Sequence, residues 1–292
     1  MQSFTIIRRE PSPYISTSFN EIVTCRLADG SERRLLLKRG RASWDSWGHR
    51  GGVPYEAQVY LSVLQPLSIP LPRLFSVGER STSGETALLI DYVDNAERLE
   101  FAHPEAILAA ARWIGEFHRL NESRADALVP GICRYDEAYY LGWSERALSF
   151  SRHVYGHWLT DVCAHFGVLV RELLTGQLTV VHGEYYPKNI LVRDKVIIPV
   201  DWESAAIAAG EIDLASLTEG WPDEYKRACA IEYSLARWPG GTPPAFERRL
   251  AIANMYLLFR WLGDRIEWTV GDDAELQFAQ LRRLGNELGA FA

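Results

Sequence analysis

The sequence predicts an α+β fold in two lobes: a small antiparallel-sheet N-terminal lobe with one helix, and a larger helical C-terminal lobe. Three observations carry this reading. Short extended runs separated by turn signals fill the first ninety residues, the pattern changes to helical period after Val93, and one compact strand-and-turn block at 179–203 interrupts the helical half. The division is placed at 93/94, giving lobes 1–93 and 94–292. At about 150 residues per domain, 292 residues accommodate one large domain or two moderate ones.

The runs FTII (4–7), EIVTCRL (21–27), RLLLKR (34–39) and ETALLIDYV (85–93) carry the β-branched and large apolar residues of strands. Ala28-Asp29-Gly30-Ser31 supplies a hairpin turn between the second and third. Residues 53–64 change period: Pro54 suits a first helical position, and Ala57, Tyr60, Leu61 and Leu64 recur at helical spacing. Beyond Val93, Ile107, Leu108, Ala111, Ile114, Phe117 and Leu120 form one apolar stripe over residues 104–120. Residues 139–176 continue the helical pattern, and helices resume at 211–217, 222–237, 244–262 and 274–288.

With 47% hydrophobic and 24% charged residues the chain has the composition of a folded protein. Acidic residues outnumber basic ones, 38 to 31, for a net charge of −7, so no basic field exists to gather a nucleic acid, which is not expected as a partner. No run reaches the roughly 18–20 apolar residues of a membrane span, and the N-terminal residues lack the apolar segment of a secretory signal. The cytoplasm is the expected compartment. Cys25, Cys133, Cys163 and Cys229 stand far apart without a CxxC pair, which argues against a zinc knuckle or redox pair.

The chemistry concentrates in the interrupting block. His182-Gly183-Glu184 precedes Asn189 in the spacing HGExxxxN, apolar Ile190-Leu191-Val192 follow, and residues 197–200 lead into Asp201. A loop bearing a carboxylate and a carboxamide, followed by a hairpin that returns a second carboxylate, can converge three oxygen donors on one point. Magnesium prefers such hard donors and completes its shell with phosphates, so Asn189 and Asp201 read as metal ligands and Glu184 as the group facing a nucleophile. In RLLLK, period 2 places Leu35 and Leu37 on one face and Leu36 with Lys38 on the other, and Glu56 on the following helix is placed to pair with the Lys38 ammonium.

These residues resemble the aminoglycoside phosphotransferase-like kinases, whose members share a two-lobed protein-kinase-like fold and carry HGDxxxxN followed by a strand ending in Asp, often DWE, as Asp201-Trp202-Glu203 stands here. The resemblance spans nearly the whole chain in order. It implies that Glu184 orients or deprotonates the attacking hydroxyl, that Asn189 and Asp201 hold Mg²⁺ against the phosphates of ATP or GTP, and that Lys38, fixed by Glu56, meets the α- and β-phosphates. It further implies adenine recognition by main-chain groups of Asp91 and Val93, bracing of the catalytic loop by Asp213, and a role for Pro187 in fixing that loop. Two departures stand out. Glu184 replaces the family's Asp and is one methylene longer, which displaces the carboxylate by roughly 1 Å, with little change in intrinsic acidity. The segment SPYISTSFNE (12–21) holds no glycine, so phosphate contact there falls to Ser16, Thr17 and Ser18.

The expected function is therefore ATP-dependent phosphorylation of a hydroxyl on a small molecule such as an aminoglycoside, sugar or amino alcohol. The alternative is a catalytically degenerate relative that binds nucleotide or a partner. Outside this constellation simpler readings prevail. His182 and His118 read as scaffold residues. His157, Asp161 and His165 could share one helical face but read as solvated, as do Asp136, Glu137, Glu219 and Asp223.

Overall fold

The computed structural model describes residues 4–13, 18–80, 84–126, 131–151 and 157–291. Packing divides the chain into two compact units: Met1–His103 with Val129–Ile132 and Lys188–Ala205, and Pro104–Leu128 with Cys133–Pro187 and Ala206–Ala292. The chain thus returns to its first unit in the middle of the strand-and-turn block, where a single boundary at 93/94 places that block with the helices.

In the first unit, strands β1 (Phe4–Pro11), β2 (Phe19–Leu27), β3 (Glu32–Gly40), β4 (Leu74–Arg80) and β5 (Glu85–Asp91) form an antiparallel sheet in the order β1-β2-β3-β5-β4. The predicted turn joins β2 to β3, closed by the Gly30 N–H on the Leu27 carbonyl at 3.0 Å, with Gly30 at φ 83° where a side chain would strain the backbone. Leu35 and Leu37 pack with Val23, Cys25 and Leu89. Lys38 pairs with Asn20 and Leu88 and so lies on the opposite face, as period 2 requires. Strand β4 was not expected; a register shift between Leu74 and Ser76 and the interior Gly78 interrupt the alternation that would reveal it.

Helix α1 (Gly52–Val59) closes with a π-helical turn, Tyr60–Leu64, in which the Gln65 N–H reaches the Tyr60 carbonyl at 2.9 Å. Pro54 is its third residue rather than its first. That position costs no intrahelical bond, because the first four amides of a helix have no partner within it. The strands Ile190–Arg193 and Val196–Pro199 form a hairpin with Glu97–Arg98 on its outer edge. Asp194 and Lys195 make its turn, both at positive φ, the two-residue geometry that matches strand twist. The chain then runs along α1: Trp202 N–H donates to Glu56 Oε1 at 3.3 Å, Gly51 N–H to the Glu203 carbonyl at 2.9 Å, and the Tyr55 hydroxyl to the Ala205 carbonyl at 2.5 Å.

The second unit holds helices α2 (Ala106–Asp126), α3 (Glu137–Phe150), α4 (Trp158–Leu174), α5 (Glu211–Thr218), α6 (Asp223–Arg237), α7 (Phe246–Asp264) and α8 (Asp272–Leu288). Beside them, strand Leu178–Val181 pairs antiparallel with Ala206–Ala209, which runs parallel to Cys133–Arg134. The helical stretch at 139–176 resolves into α3 and α4 around a core that includes Trp143, Phe166, Tyr256 and Phe259. Asp136 caps α3 by accepting the Tyr139 N–H at 2.9 Å, and Glu137 pairs with Arg171 at 2.7 Å, so both serve the helix. Helix α5 is buried along its whole length, Glu211 and Asp213 included. Among the described residues no group of three His, Cys, Asp or Glu side chains is placed to hold a metal ion, which leaves His157, Asp161 and His165 without a shared site. No helix among them is long and apolar enough to cross a membrane.

Candidate active site

In the first unit the predicted residues Lys38, Glu56 and Asp201 meet. The Lys38 ammonium is ion-paired with the Glu56 carboxylate and lies 2.8 Å from Asp201 Oδ1. Lys38 and Glu56 are buried. Burial penalises the ammonium, but the carboxylates of Asp201 and Glu56 outweigh it, so Lys38 is held above its ordinary pKa and stays charged. Burial pushes the Glu56 carboxyl upward and Lys38 opposes that. Glu203, close by, is pushed up to about 7 by burial first and by the Asp201 carboxylate second. Asp201 adopts φ 71°, a left-handed conformation that a residue with a side chain takes at some cost, here imposed by the abrupt change from hairpin to the path along α1.

Asn189 comes to the same end of the hairpin as Asp201. The ladder that pairs Ile190 with Pro199 continues outward through the Val200 N–H, which donates to the Asn189 carbonyl at 2.9 Å. The Asp201 side chain is 38% exposed, and Lys38 engages its Oδ1. A carboxylate and a carboxamide are hard oxygen donors, and such a set fits Mg²⁺. Of the remaining sequence candidates, the Asp91 side chain is engaged by Arg33 at 2.6 Å and by the Arg73 N–H at 3.1 Å, and the Val93 side chain packs against Leu191 and Ile198. The Ser18 hydroxyl donates to Asn20 Oδ1 at 3.0 Å. Ser16 and Thr17 lie outside the described residues.

The second unit holds the front of the HGExxxxN motif. Asp213 on α5 accepts the main-chain N–H of His182 at 2.7 Å and of Gly183 at 2.9 Å, which pins the loop from below. His118 Nε2 stands 3.0 Å from the same carboxylate and its Nδ1 3.0 Å from the Tyr233 hydroxyl. Arg237 Nη1 donates to that hydroxyl at 2.5 Å. Because the guanidinium can only donate, the Tyr233 proton points at His118 Nδ1 and the neutral ring donates from Nε2 to Asp213. His182 receives the Glu184 N–H on Nδ1 at 3.3 Å, a scaffold role.

Glu184 itself is buried, and its Oε1 accepts from Arg260 Nη1 on α7 at 3.3 Å. Arg260 Nη2 donates to the Tyr186 hydroxyl, and its guanidinium lies 5.5 Å from the centre of that ring. Tyr139 and Tyr256, with hydroxyls 3.1 Å apart, add to the polar surroundings of this cation. Sequence reasoning missed Arg260 entirely. It lies 76 positions after Glu184 on a helix with no motif, and only tertiary packing joins them.

A sequence profile of the phosphotransferase enzyme family (APH) matches residues 22–246. No curated protein matches the chain. Among solved structures, the GDP complex of aminoglycoside 2′-phosphotransferase-IIIa is similar with TM-score 0.63 at 12% identity, covering 97% of this chain and 94% of that one. A choline/ethanolamine kinase family protein from Mesorhizobium loti gives TM-score 0.61 at 18% identity over 97% and 90%. A putative fructosamine-3-kinase from Haemophilus somnus gives 0.58 at 17% over 96% and 92%. At these identities the likeness establishes the fold.

Proposed function

Because the chain belongs to the phosphotransferase enzyme family, we propose that it is a small-molecule kinase that moves the γ-phosphoryl group of ATP or GTP onto an acceptor hydroxyl. The observation that carries this reading is the buried Lys38 ammonium held between Glu56 of α1 and Asp201 at the end of the hairpin. A fixed, permanently charged donor beside a partly exposed carboxylate suits a polyphosphate and its cation, and is an expensive arrangement to maintain for stability alone. The nucleotide in the similar phosphotransferase and the alcohol-phosphorylating names of the other relatives support the same assignment. An aminoglycoside, sugar or amino alcohol is the acceptor class they suggest.

In this reading Lys38 binds the α- and β-phosphates, with Glu56 fixing its position, and Asn189 and Asp201 supply the protein ligands of Mg²⁺. When bound, the ion offsets charge on the phosphates. Main-chain groups of Asp91 and Val93 receive the base, and Ser16 and Ser18 add phosphate contacts. Glu184 accepts a hydrogen bond from the acceptor hydroxyl and orients its oxygen toward the γ-phosphorus. The new O–P bond forms as the bond to the β–γ bridging oxygen breaks, the acceptor proton passes to the Glu184 carboxylate, and the nucleoside diphosphate leaves with the bridging electron pair.

The test is acceptor-dependent release of ADP or GDP by purified protein with magnesium and a panel of aminoglycosides, sugars and amino alcohols. Asp201→Asn is expected to abolish magnesium-dependent turnover while unfolding near the wild-type temperature, since its side chain is partly exposed and Lys38 retains Glu56. Unchanged magnesium dependence would refute the ligand assignment. Tight nucleotide binding without turnover across the panel, unaltered by Glu184→Asp, would favour the alternative of a degenerate nucleotide- or partner-binding protein.

A further inference from the structure

We infer that Arg260 is a positioning residue matched to Glu184, holding the longer carboxylate where the acceptor hydroxyl is received. The inference rests on the phosphotransferase reading above. Its starting point is the departure at residue 184, where one additional methylene gives the carboxylate more reach and more rotational freedom than an aspartate has. A catalytic carboxylate that wanders by about 1 Å loses much of its advantage, because phosphoryl transfer depends on alignment more than on base strength.

The structure supplies the constraint. Arg260 Nη1 donates to Glu184 Oε1 at 3.3 Å while Nη2 donates to the Tyr186 hydroxyl, so one planar group bridges two residues of the same loop. Its side chain is only 12% exposed, and α7 carries it on a rigid element whose core residues include Tyr256 and Phe259. Around the Arg260 guanidinium stand Glu184, Tyr256 of α7, Tyr139 of α3 and Tyr186 of the Glu184 loop, while His182 accepts the Glu184 N–H and Glu219 exerts its charge on Tyr186. The Tyr139 and Tyr186 hydroxyls are pushed up to about 12 by burial, so they are neutral near pH 7. Arg260 is a cation directly beside this carboxylate. It favours the ionised form, which can only accept, as orienting a hydroxyl requires. An aspartate at 184 would withdraw from Nη1 beyond hydrogen-bond distance, so the two residues form a length-matched pair.

The experiment compares wild type with Arg260→Gln, Arg260→Lys, Tyr186→Phe and Glu184→Asp in two readouts: kinetics, and a carboxyl ¹³C NMR titration of Glu184 that needs no turnover. Arg260→Gln should raise the Glu184 pKa by about one unit, move the acid limb of the kcat profile upward with it, and lower kcat by about tenfold to a hundredfold with nucleotide KM unchanged. Arg260→Lys should keep the titration near wild type but recover kcat only in part, since a point charge cannot bridge two partners. Tyr186→Phe should lower kcat by a smaller factor, and Glu184→Asp should lower activity rather than raise it. An unmoved Glu184 titration with unchanged kcat in Arg260→Gln would overturn the inference, as would a gain of activity in Glu184→Asp. A Glu184 titration that shifts in Arg260→Gln, when the wild-type protein phosphorylates nothing, would instead overturn the phosphotransferase reading while the Arg260–Glu184 pair stood.

Discussion

Asp213 accepts the main-chain N–H of His182 at 2.7 Å, so a fully buried carboxylate on α5 sets the height of the loop that carries Glu184. Its second oxygen takes the Gly183 N–H at 2.9 Å, and Gly183 sits at φ 82°, which only a residue without a side chain adopts cheaply. Two charge-assisted bonds to adjacent amides fix the backbone direction on either side of the turn.

Asp213→Asn should therefore destabilise the protein by about 2–4 kcal/mol, because the carboxamide must turn an N–H₂ toward groups that also donate. Urea unfolding would measure this. A variant with wild-type stability would show that the loop is held by other contacts.

His118 makes stability sensitive to acid. Burial first depresses its pKa, and the Asp213 hydrogen bond opposes this without reversing it. The neutral ring is already required by the Tyr233 proton on Nδ1. In the unfolded chain the group titrates near 6.5, so below that pH the unfolded state takes up a proton that the folded state resists. Stability should fall as pH drops from about 6.5 toward the depressed folded value. His118→Gln should flatten that part of the curve in parallel urea titrations; an unchanged slope would assign the acid sensitivity elsewhere.

Lys38→Met should cost about 3 kcal/mol or more, since it leaves the buried Glu56 carboxylate without its cation. It should also weaken nucleotide binding by at least about tenfold through loss of a charge-assisted contact. Unfolding curves and titration with a fluorescent nucleotide read the two effects separately. Wild-type nucleotide affinity in a folded Lys38→Met protein would remove Lys38 from the phosphate site.

Gly210→Ala tests the network beneath α5. A methyl there would come within 2.5 Å of Arg237 Nη1, 2.6 Å of His118 Nδ1 and 2.8 Å of the Tyr233 hydroxyl. Its φ of −64° is ordinary, so space rather than backbone freedom excludes the side chain. A loss of about 1–3 kcal/mol is expected in thermal or urea unfolding, and a neutral result would mean that the three partners part easily.

Much of this arrangement was legible in the residues. The alternation in RLLLK correctly separated Lys38 from Leu35 and Leu37, because side-chain direction along a strand is a local property of the backbone. The resemblance carried by HGExxxxN and Asp201 indicated the family, since loop and hairpin chemistry at short spacing survives as a readable string. Strand β4 was not legible, its alternation broken by a register shift, and neither was the return of residues 188–205 to the first unit.

By itself the sequence determined most of the order of elements, strand β4 excepted, together with the family and the chemical types at the site. Those follow from local periodicity, turn chemistry and a motif whose members lie within about twenty residues. Tertiary structure alone decided which further distant side chains answer them: Asp201 on the Lys38 ammonium beside the expected Glu56, and Arg260 against Glu184. Such pairings are set by how helices pack and where a hairpin ends, and a single donor or acceptor on a helix face carries no local signal of the partner that packing brings to it.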